Sequence, residues 1–279
     1  MVGDAGLDVL ATADTLPEPG GDVRAAIRVR PGGAGANTAA WLAALGAAPV
    51  LIGRVGADLA AAQVRAALAA ARVDAVLATD PAAPTCCVVV LVDATGQRTM
   101  LADRGAAGHL APADIDPAVL RGSRHLHLSG YVLLDRSSRP AGLAALAAAR
   151  AAGLTTSVDP QAAQLLTDPA GFLADVAGID LLLPNATELA ALGGASAVLA
   201  AVGAVAVTAG EQGARWLSPG VELAVQAEPA ICVDSTGAGD AFDAGLLAAW
   251  VGGAAPAEAL AAGVAAGTRA VGLAGARPA

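Results

Sequence analysis

The chain has 279 residues, 56% of them hydrophobic and only 15% charged, which is enough apolar sequence for one large core and too apolar for a disordered chain. A net charge of -9, with no basic run anywhere, excludes a protein that grips nucleic acid by neutralising phosphates. All 16 basic residues are arginine, so Schiff-base chemistry, a lysine nucleophile and a P-loop lysine are excluded too.

From the N-terminus, Met1 to Leu10 reads as a first buried strand, since it lacks the basic start and long apolar centre of a signal peptide. No apolar run reaches the roughly 18 residues of a membrane span. The expectation is a cytoplasmic protein whose partner is a small molecule, with neither nucleic acid nor membrane involved. Ala11 to Arg30 carries prolines, glycines and the extended-looking Val23 to Arg30. The cluster Gly32-Gly33-Ala34-Gly35-Ala36-Asn37 then precedes a helix-like stretch, Thr38 to Leu45. It does not match G-x-G-x-x-G. Its glycines let backbone approach a ligand closely, and Asn37 offers the donor and acceptor that sugar hydroxyls need.

Strand-like runs then alternate with alanine-rich helical ones: Val50 to Val55 before Ala60 to Ala71, and His125 to Ser129 before Ala141 to Ala152. Thr155 to Asp159, Leu181 to Pro184 and Val205 to Thr208 continue the strands. This alternation predicts an α/β fold, a three-layer α/β/α arrangement around a mainly parallel sheet. Thr85 to Leu101 departs from it, reading as strands Cys86 to Val92 and Arg98 to Leu101 joined by an Asp-Ala-Thr-Gly turn. Residues 1–279 are therefore expected to form one domain, with segments at about 11–30 and 85–101 building a small β-sheet lid that keeps water from a reaction. Ordinary surface hairpins are the alternative. A lid with an exposed edge would let a second copy pair, giving a homodimer.

In such sheets ligands gather at the carboxyl ends of the strands. Asp159, Asn185, Thr208 and Asp234 each follow or end an apolar run, so one shared rim is expected. Cys86, Cys87 and Cys232 fit neither a disulfide framework nor a metal spacing and are expected to be buried thiols. His125 and His127 share a strand face without a third ligand and read as structural, and Trp41 and Trp250 read as core. Asp103 and Arg104 follow the lid; Arg104 is suited to a carboxylate on a substrate, and a surface ion pair explains it equally well.

The most informative stretch is Asp234-Ser235-Thr236-Gly237-Ala238-Gly239-Asp240, followed by the apolar Ala241 to Gly245. Small residues there allow a tight turn with converging N–H groups, and a helix starting near Asp240 adds the positive end of its dipole. A carboxylate beside an anion cradle suits proton removal from a hydroxyl that attacks phosphorus.

Gly32 to Asn37, Asn185 to Glu188 and Asp234 to Gly245 resemble, in order and spacing, the motifs of the ribokinase-like or PfkB family of carbohydrate and nucleoside kinases. The resemblance implies ATP and Mg2+ as cofactors, Asp240 as catalytic base, and the amides of Gly237, Ala238 and Gly239 as the anion hole. It implies Asp8, Gly33 and Asn37 for the acceptor, with Asn185, Thr208, Gly210 and Gly213 for the nucleotide. Glu188 would serve magnesium through water, and Asp234, Thr236 and Gly275 a monovalent cation, K+. Ala34 stands where ribokinases often have lysine, and Asp243 where many members have asparagine. The reaction implied is γ-phosphate transfer to a hydroxymethyl group of a sugar or sugar derivative, a ribokinase, fructokinase or ketodeoxygluconate kinase type of reaction. Alternatives are an adenosine-type nucleoside kinase, disfavoured by 2% aromatic content, and a catalytically silent sugar or nucleotide sensor.

Overall fold

The computed structural model describes residues 1–95 and 97–278. Strands β1 (Gly6–Thr12) and β2 (Ala26–Gly32) pair antiparallel and lead into helix α1 (Ala34–Ala44). Next, β3 (Val50–Gly56), α2 (Leu59–Ala70) and β4 (Asp74–Asp80) make a parallel β-α-β unit. Asp58 starts α2 by accepting from the Ala61 amide at 2.8 Å, as an N-cap carboxylate does. The chain then returns through β5 (Cys86–Val92) and β6 (Arg98–Asp103) to the neighbourhood of β1.

The second half runs α3 (Pro117–Arg121), β7 (His125–Ser129), α4 (Tyr131–Leu134), α5 (Arg139–Ala151), β8 (Thr155–Asp159), α6 (Pro169–Asp175) and β9 (Leu181–Leu182). It continues with α7 (Ala186–Ala191), α8 (Gly194–Leu199), β10 (Ala204–Thr208), β11 (Ala214–Ser218), β12 (Val221–Val225), α9 (Ala238–Val251) and α10 (Pro256–Val271). The main sheet has the order β12-β11-β10-β9-β8-β7. Val2 bridges in parallel to both Leu128 and Ile52 and so splices β3 and β4 onto its β7 end. From β7 to β10 the neighbours are parallel, which requires crossover helices.

Side-chain alternation fixes the two faces of this sheet. Leu182, Val205 and Val207 face one core with Leu146 and Ala149 of α5, while Leu181, Ala204 and Ala206 face another with Phe242 and Leu246 of α9 and Leu260 of α10. Helices thus cover both faces, giving the three layers. A separate four-stranded sheet has the order β2-β1-β5-β6 and leaves Ile27, Val29, Met100 and Leu101 exposed.

Several expectations need correction. Met1 to Leu10 is not one strand: Val2 lies in the core sheet and the chain turns before β1, which belongs to the second sheet. The helix expected from Thr38 begins at Ala34, because Gly33 caps it with φ 91° and the glycine cluster winds into its first turn. Cys86 is buried, but Cys87 is half-buried and Cys232 exposed. Gly96, in the expected Asp-Ala-Thr-Gly turn, lies outside the described residues. Trp41 is a core residue, and Trp250 is half-buried, packing its ring near Trp216 and His125. Both histidines bond Ser157 Oγ, at 2.8 and 2.7 Å, and burial lowers their pKa values, that of His125 to about 3; they are neutral and structural.

Candidate active site

The glycine cluster and the C-terminal cradle, far apart in sequence, meet through α1 and α9. Asn37 Nδ2 donates to Asp240 Oδ2 at 2.9 Å. Gly33 has its positive φ beside the backbone of Asp4 and Ala5, where a Cβ would come within 2.8 Å, so only glycine lets α1 start this close to the chain after Val2. The Asp8 carboxylate lies against Gly32, on the space a Gly32 side chain would fill. Asp8, Gly33 and Asn37 therefore lie close together around Gly32. Burial pushes Asp8 up to about 6, against the pull of Arg277.

Asp240 is buried in the first turn of α9. Burial pushes its carboxyl up to about 7; the Asn37 hydrogen bond and Arg277 pull down, while Asp4 and Asp8 push up. Such a value sits near the optimum for a base working at neutral pH. Asn37 occupies only Oδ2, so Oδ1 is the oxygen that remains for an acceptor hydroxyl. The helix begins at Ala238, two residues before the expected start, because Gly237 takes a left-handed φ of 75° as N-cap. A Cβ on Gly237 would strike Ala276 O at 2.6 Å, whereas a Cβ on Gly239 would meet nothing within 4 Å. The amides of Gly239 and Asp240 belong to the first turn, for which a helix supplies no acceptor carbonyl. Gly237 is thus pinned from behind, and the space over Gly239 is open.

At the ends of the sheet strands, Asn185 and Thr208 pair in an isolated parallel bridge, and Thr208 N donates to Pro184 O at 3.0 Å. Asn185 and Glu188 cap α7 reciprocally: Glu188 accepts from Asn185 N at 2.9 Å and from Asn185 Nδ2 at 2.7 Å, and its own amide donates to Asn185 Oδ1 at 2.9 Å. Gly210 has φ 57° with open space around it, while Gly213, φ 84°, turns against the backbone of residues 225–227. Asp159, at the end of β8, is buried and shares a hydrogen bond with buried Asp243; burial raises both carboxyls, repulsion from Glu188 and Asp240 adds to each, and the shared hydrogen bond pulls Asp159 down while pushing Asp243 up. Asp243 Oδ2 has no hydrogen-bond partner. That oxygen faces His127 Nε2 at 3.8 Å, so the fit to a hydrated magnesium ion rests on the oxygen ligands of Glu188 at the start of α7, which suit a cation that keeps its waters.

Asp234 departs from the expected shared rim. It lies in the connection between β12 and α9, beneath the second sheet. Its Oδ1 accepts from the Thr236 amide at 2.9 Å, the Thr236 hydroxyl at 2.7 Å and Arg98 Nη2 at 2.5 Å, and its Oδ2 accepts from Gly275 N at 3.0 Å. Arg98 Nη1 donates to Thr236 Oγ1 at 2.5 Å. Burial alone would raise the Asp234 carboxyl, but the Thr236 donors, Arg98 and Gly275 outweigh it and hold the carboxyl below its usual range. Asp234 and Thr236, expected to ligate K+, are thus engaged by a guanidinium, and Gly275 turns its amide N–H toward Asp234. A second unit charge about 4 Å from that guanidinium would cost about 4 kcal/mol at an effective dielectric near 20. This site does not fit a monovalent cation.

Two arginines carry buried nitrogens without a hydrogen-bond partner. Arg277, not among the site residues expected from sequence, donates from Nε to Asn37 Oδ1 at 2.9 Å and from Nη2 to Gly32 O at 2.8 Å, while Nη1 is buried without a partner. Arg104 lies over the Tyr131 ring at 5.3 Å from its centroid, with Nε 3.5 Å from Asp135 Oδ2. Its Nε and Nη2 are buried without a hydrogen-bond partner. Arg104, expected near the acceptor, is therefore not a plain surface ion pair. For Arg277 the available signal was a lone arginine beside Gly275-Ala276, at a distance of 240 residues from Asn37.

Comparison with known proteins bears on this geometry. Residues 1–279 match the family model described as pfkB family carbohydrate kinase. The chain is 32% identical to a fructokinase of Klebsiella pneumoniae, covering 89% of this chain and 82% of that protein. It is 35% identical to an ATP-dependent ribose-1-phosphate kinase of Halopiger xanaduensis, covering 89% and 83%. Among solved structures, a provisionally named ribokinase II of Escherichia coli in complex with ATP and Mg2+ superposes with a TM-score of 0.87 at 25% identity, covering 99% of this chain and 92% of that one.

Proposed function

The chain belongs to the pfkB family of carbohydrate kinases, and from that premise we propose that it transfers the γ-phosphate of ATP to a hydroxymethyl group of a sugar or sugar derivative, with Asp240 as general base. The observation that carries this reading is the buried Asp240 carboxylate, held by Asn37 at the open N-terminus of α9. In the reaction proposed, Asp240 Oδ1 takes the hydroxyl proton, the freed oxygen bonds to the γ-phosphorus, and the bond to the β-phosphate oxygen breaks to release ADP. The amides of Gly237 and Gly239 then face charge spreading over the phosphoryl oxygens, while the Ala238 amide donates to Ser235 O at 3.3 Å and would have to leave it to join them. Asp8, Gly33 and Asn37 hold the acceptor's hydroxyls, and Asn185, Thr208 and Gly210 lie toward the nucleotide. Gly213 serves that side by turning the chain behind Gly210. Magnesium, when bound with ATP, neutralises the β- and γ-phosphate charge, and Glu188 would hold its water shell.

The second sheet serves as a lid in this reading, and its edge strands β2 and β6, with exposed Ile27, Val29, Met100 and Leu101, are where a homodimer would form. The indoles of Trp41 and Trp216 are committed to the core, which supports a sugar over a nucleoside. Among sugars, the buried Arg104 Nη2, which has no hydrogen-bond partner, and the resemblance to a ribose-1-phosphate kinase favour a second reading, an acceptor that carries a carboxylate or phosphate.

The test is ATP consumption with Mg2+ against neutral pentoses and hexoses, sugar acids, sugar phosphates and nucleosides, with Asp240→Ala as the blank. Turnover on a sugar or sugar derivative, lost in the variant, is expected. Turnover confined to nucleosides would replace this reading with a nucleoside kinase, and ATP binding without acceptor-dependent turnover would replace it with a sensor.

The pH dependence follows from the carboxyl near 7. Because the base must be ionised in the free enzyme, kcat/KM should rise with pH to a plateau above an apparent pKa near 7. Arg277 favours the ionised form, so Arg277→Met should shift that rising limb to higher pH, by roughly half a unit or more. A limb that stays in place would show that Arg277 acts only as packing.

A further inference from the structure

Arg98 comes from β6 of the second sheet and closes on the loop that leads into the anion cradle, 136 residues further along the chain. Its two terminal nitrogens are divided between Asp234 Oδ1 and Thr236 Oγ1. Asp234 in turn gathers the Thr236 amide and hydroxyl and the Gly275 amide. Gly275 is followed by Ala276, whose backbone backs onto Gly237 and accepts from Trp41 Nε1 at 2.9 Å. The charge on Arg98 therefore reaches the cradle by two routes: along Thr236 to Gly237, and across Asp234 and Gly275 to the segment that pins Gly237. Arg30 of β2 adds a second grip on that segment by donating to Ala274 O at 2.5 Å.

We infer that Arg98 is a tethered monovalent cation. It supplies from the lid the single positive charge that neutralises Asp234 and sets the cradle amides, and the enzyme works without added K+. The inference rests on the kinase reading above. It also gives the lid a part in assembling the site: when β6 moves away, Asp234 loses its counter-charge and the turn before Gly237 loses its brace. Arg98 touches no reacting atom and is a positioning residue.

The experiment compares wild type, Arg98→Met and Arg98→Lys in potassium chloride and in tetramethylammonium chloride at matched ionic strength, by turnover and by thermal melting. Wild-type turnover and melting temperature are expected to be the same in the two salts. Arg98→Met should lose about tenfold or more in kcat in tetramethylammonium, with KM for ATP and acceptor changing less. K+ or free guanidinium should restore part of that loss, and K+ should raise the melting temperature of this variant alone, as a ligand bound only to the folded state does. Arg98→Lys should keep the salt-independence. Activation or stabilisation of wild type by K+ to the extent seen in Arg98→Met would overturn the inference and leave the kinase reading intact, as would an Arg98→Met enzyme indistinguishable from wild type. Should no acceptor give turnover in either salt, the kinase reading fails instead, and the melting comparison alone decides whether Arg98 fills a cation's place.

Discussion

Replacing Asp240 with asparagine should abolish phosphate transfer, by about 10³-fold in kcat, and at the same time make the protein more stable at alkaline pH. The two effects have one cause. Burial drives the Asp240 carboxyl to about 7, so the folded protein retains a proton that the unfolded chain gives up near 4. A carboxyl raised in this way stabilises the fold only at low pH, and its contribution is lost as pH rises from about 4 through 7. At pH 8 wild type therefore holds an ionised group that its site disfavours by up to about 4 kcal/mol. Asparagine keeps the acceptor oxygen that Asn37 bonds and removes the charge. Melting curves should show Asp240→Asn gaining roughly 2–4 °C or more at pH 8, with a smaller gain at pH 5. An asparagine variant that melts lower than wild type at pH 8 would mean that the carboxylate is structural, and the active-site assignment would fail with it.

Paired substitutions at the cradle glycines should separate geometry from chemistry. Gly237 has φ 75° and no room behind it, since a Cβ would meet Ala276 O at 2.6 Å. Gly237→Ala should cost roughly 2 kcal/mol or more of stability from left-handed strain and collision. It should also lose about 10²-fold or more in kcat as the amides swing out of register. Gly239 is helical and open. Gly239→Ala should leave the melting temperature unchanged or raise it, because alanine suits a helix better by up to about 1 kcal/mol. Its methyl group would nevertheless stand where the phosphoryl oxygens are proposed to gather, so activity should fall by at least about tenfold. Equal losses of stability in both variants, or full activity in Gly239→Ala, would contradict the placement of the anion hole.

What sequence made legible was local. The cradle could be read because its glycines, its acid and the apolar helix behind it are neighbours in the chain, and because backbone conformation at Gly237 and Gly33 demands glycine. The alternation of apolar runs gave the layers for the same reason, since Leu181 and Leu182 must point to opposite cores. The first strand was misread because the apolar residues on either side of Gly3-Asp4-Ala5-Gly6 were joined into one run, although those four residues are the turn formers that separate Val2 from β1. What stayed hidden was carried by arginines acting over long separations. Arg98 at Asp234 and Arg277 at Asn37 depend on how the second sheet and the C-terminal segment fold back. An arginine at the end of a strand looks, in sequence, like any solvated charge. Asp234, Thr236 and Gly275, expected around K+, do cluster, but around a guanidinium that the motif itself does not contain.

The most direct test of the central claim is to incubate the protein with ATP, Mg2+ and each sugar or sugar derivative that gives turnover, and to record the 31P NMR spectrum of the product with and without proton decoupling. Transfer to a hydroxymethyl group through Asp240 predicts a phosphomonoester signal coupled to methylene protons, present for wild type and absent for Asp240→Asn. Inorganic phosphate as the only product, a phosphomonoester on a secondary carbon, or an undiminished signal from the variant would contradict it.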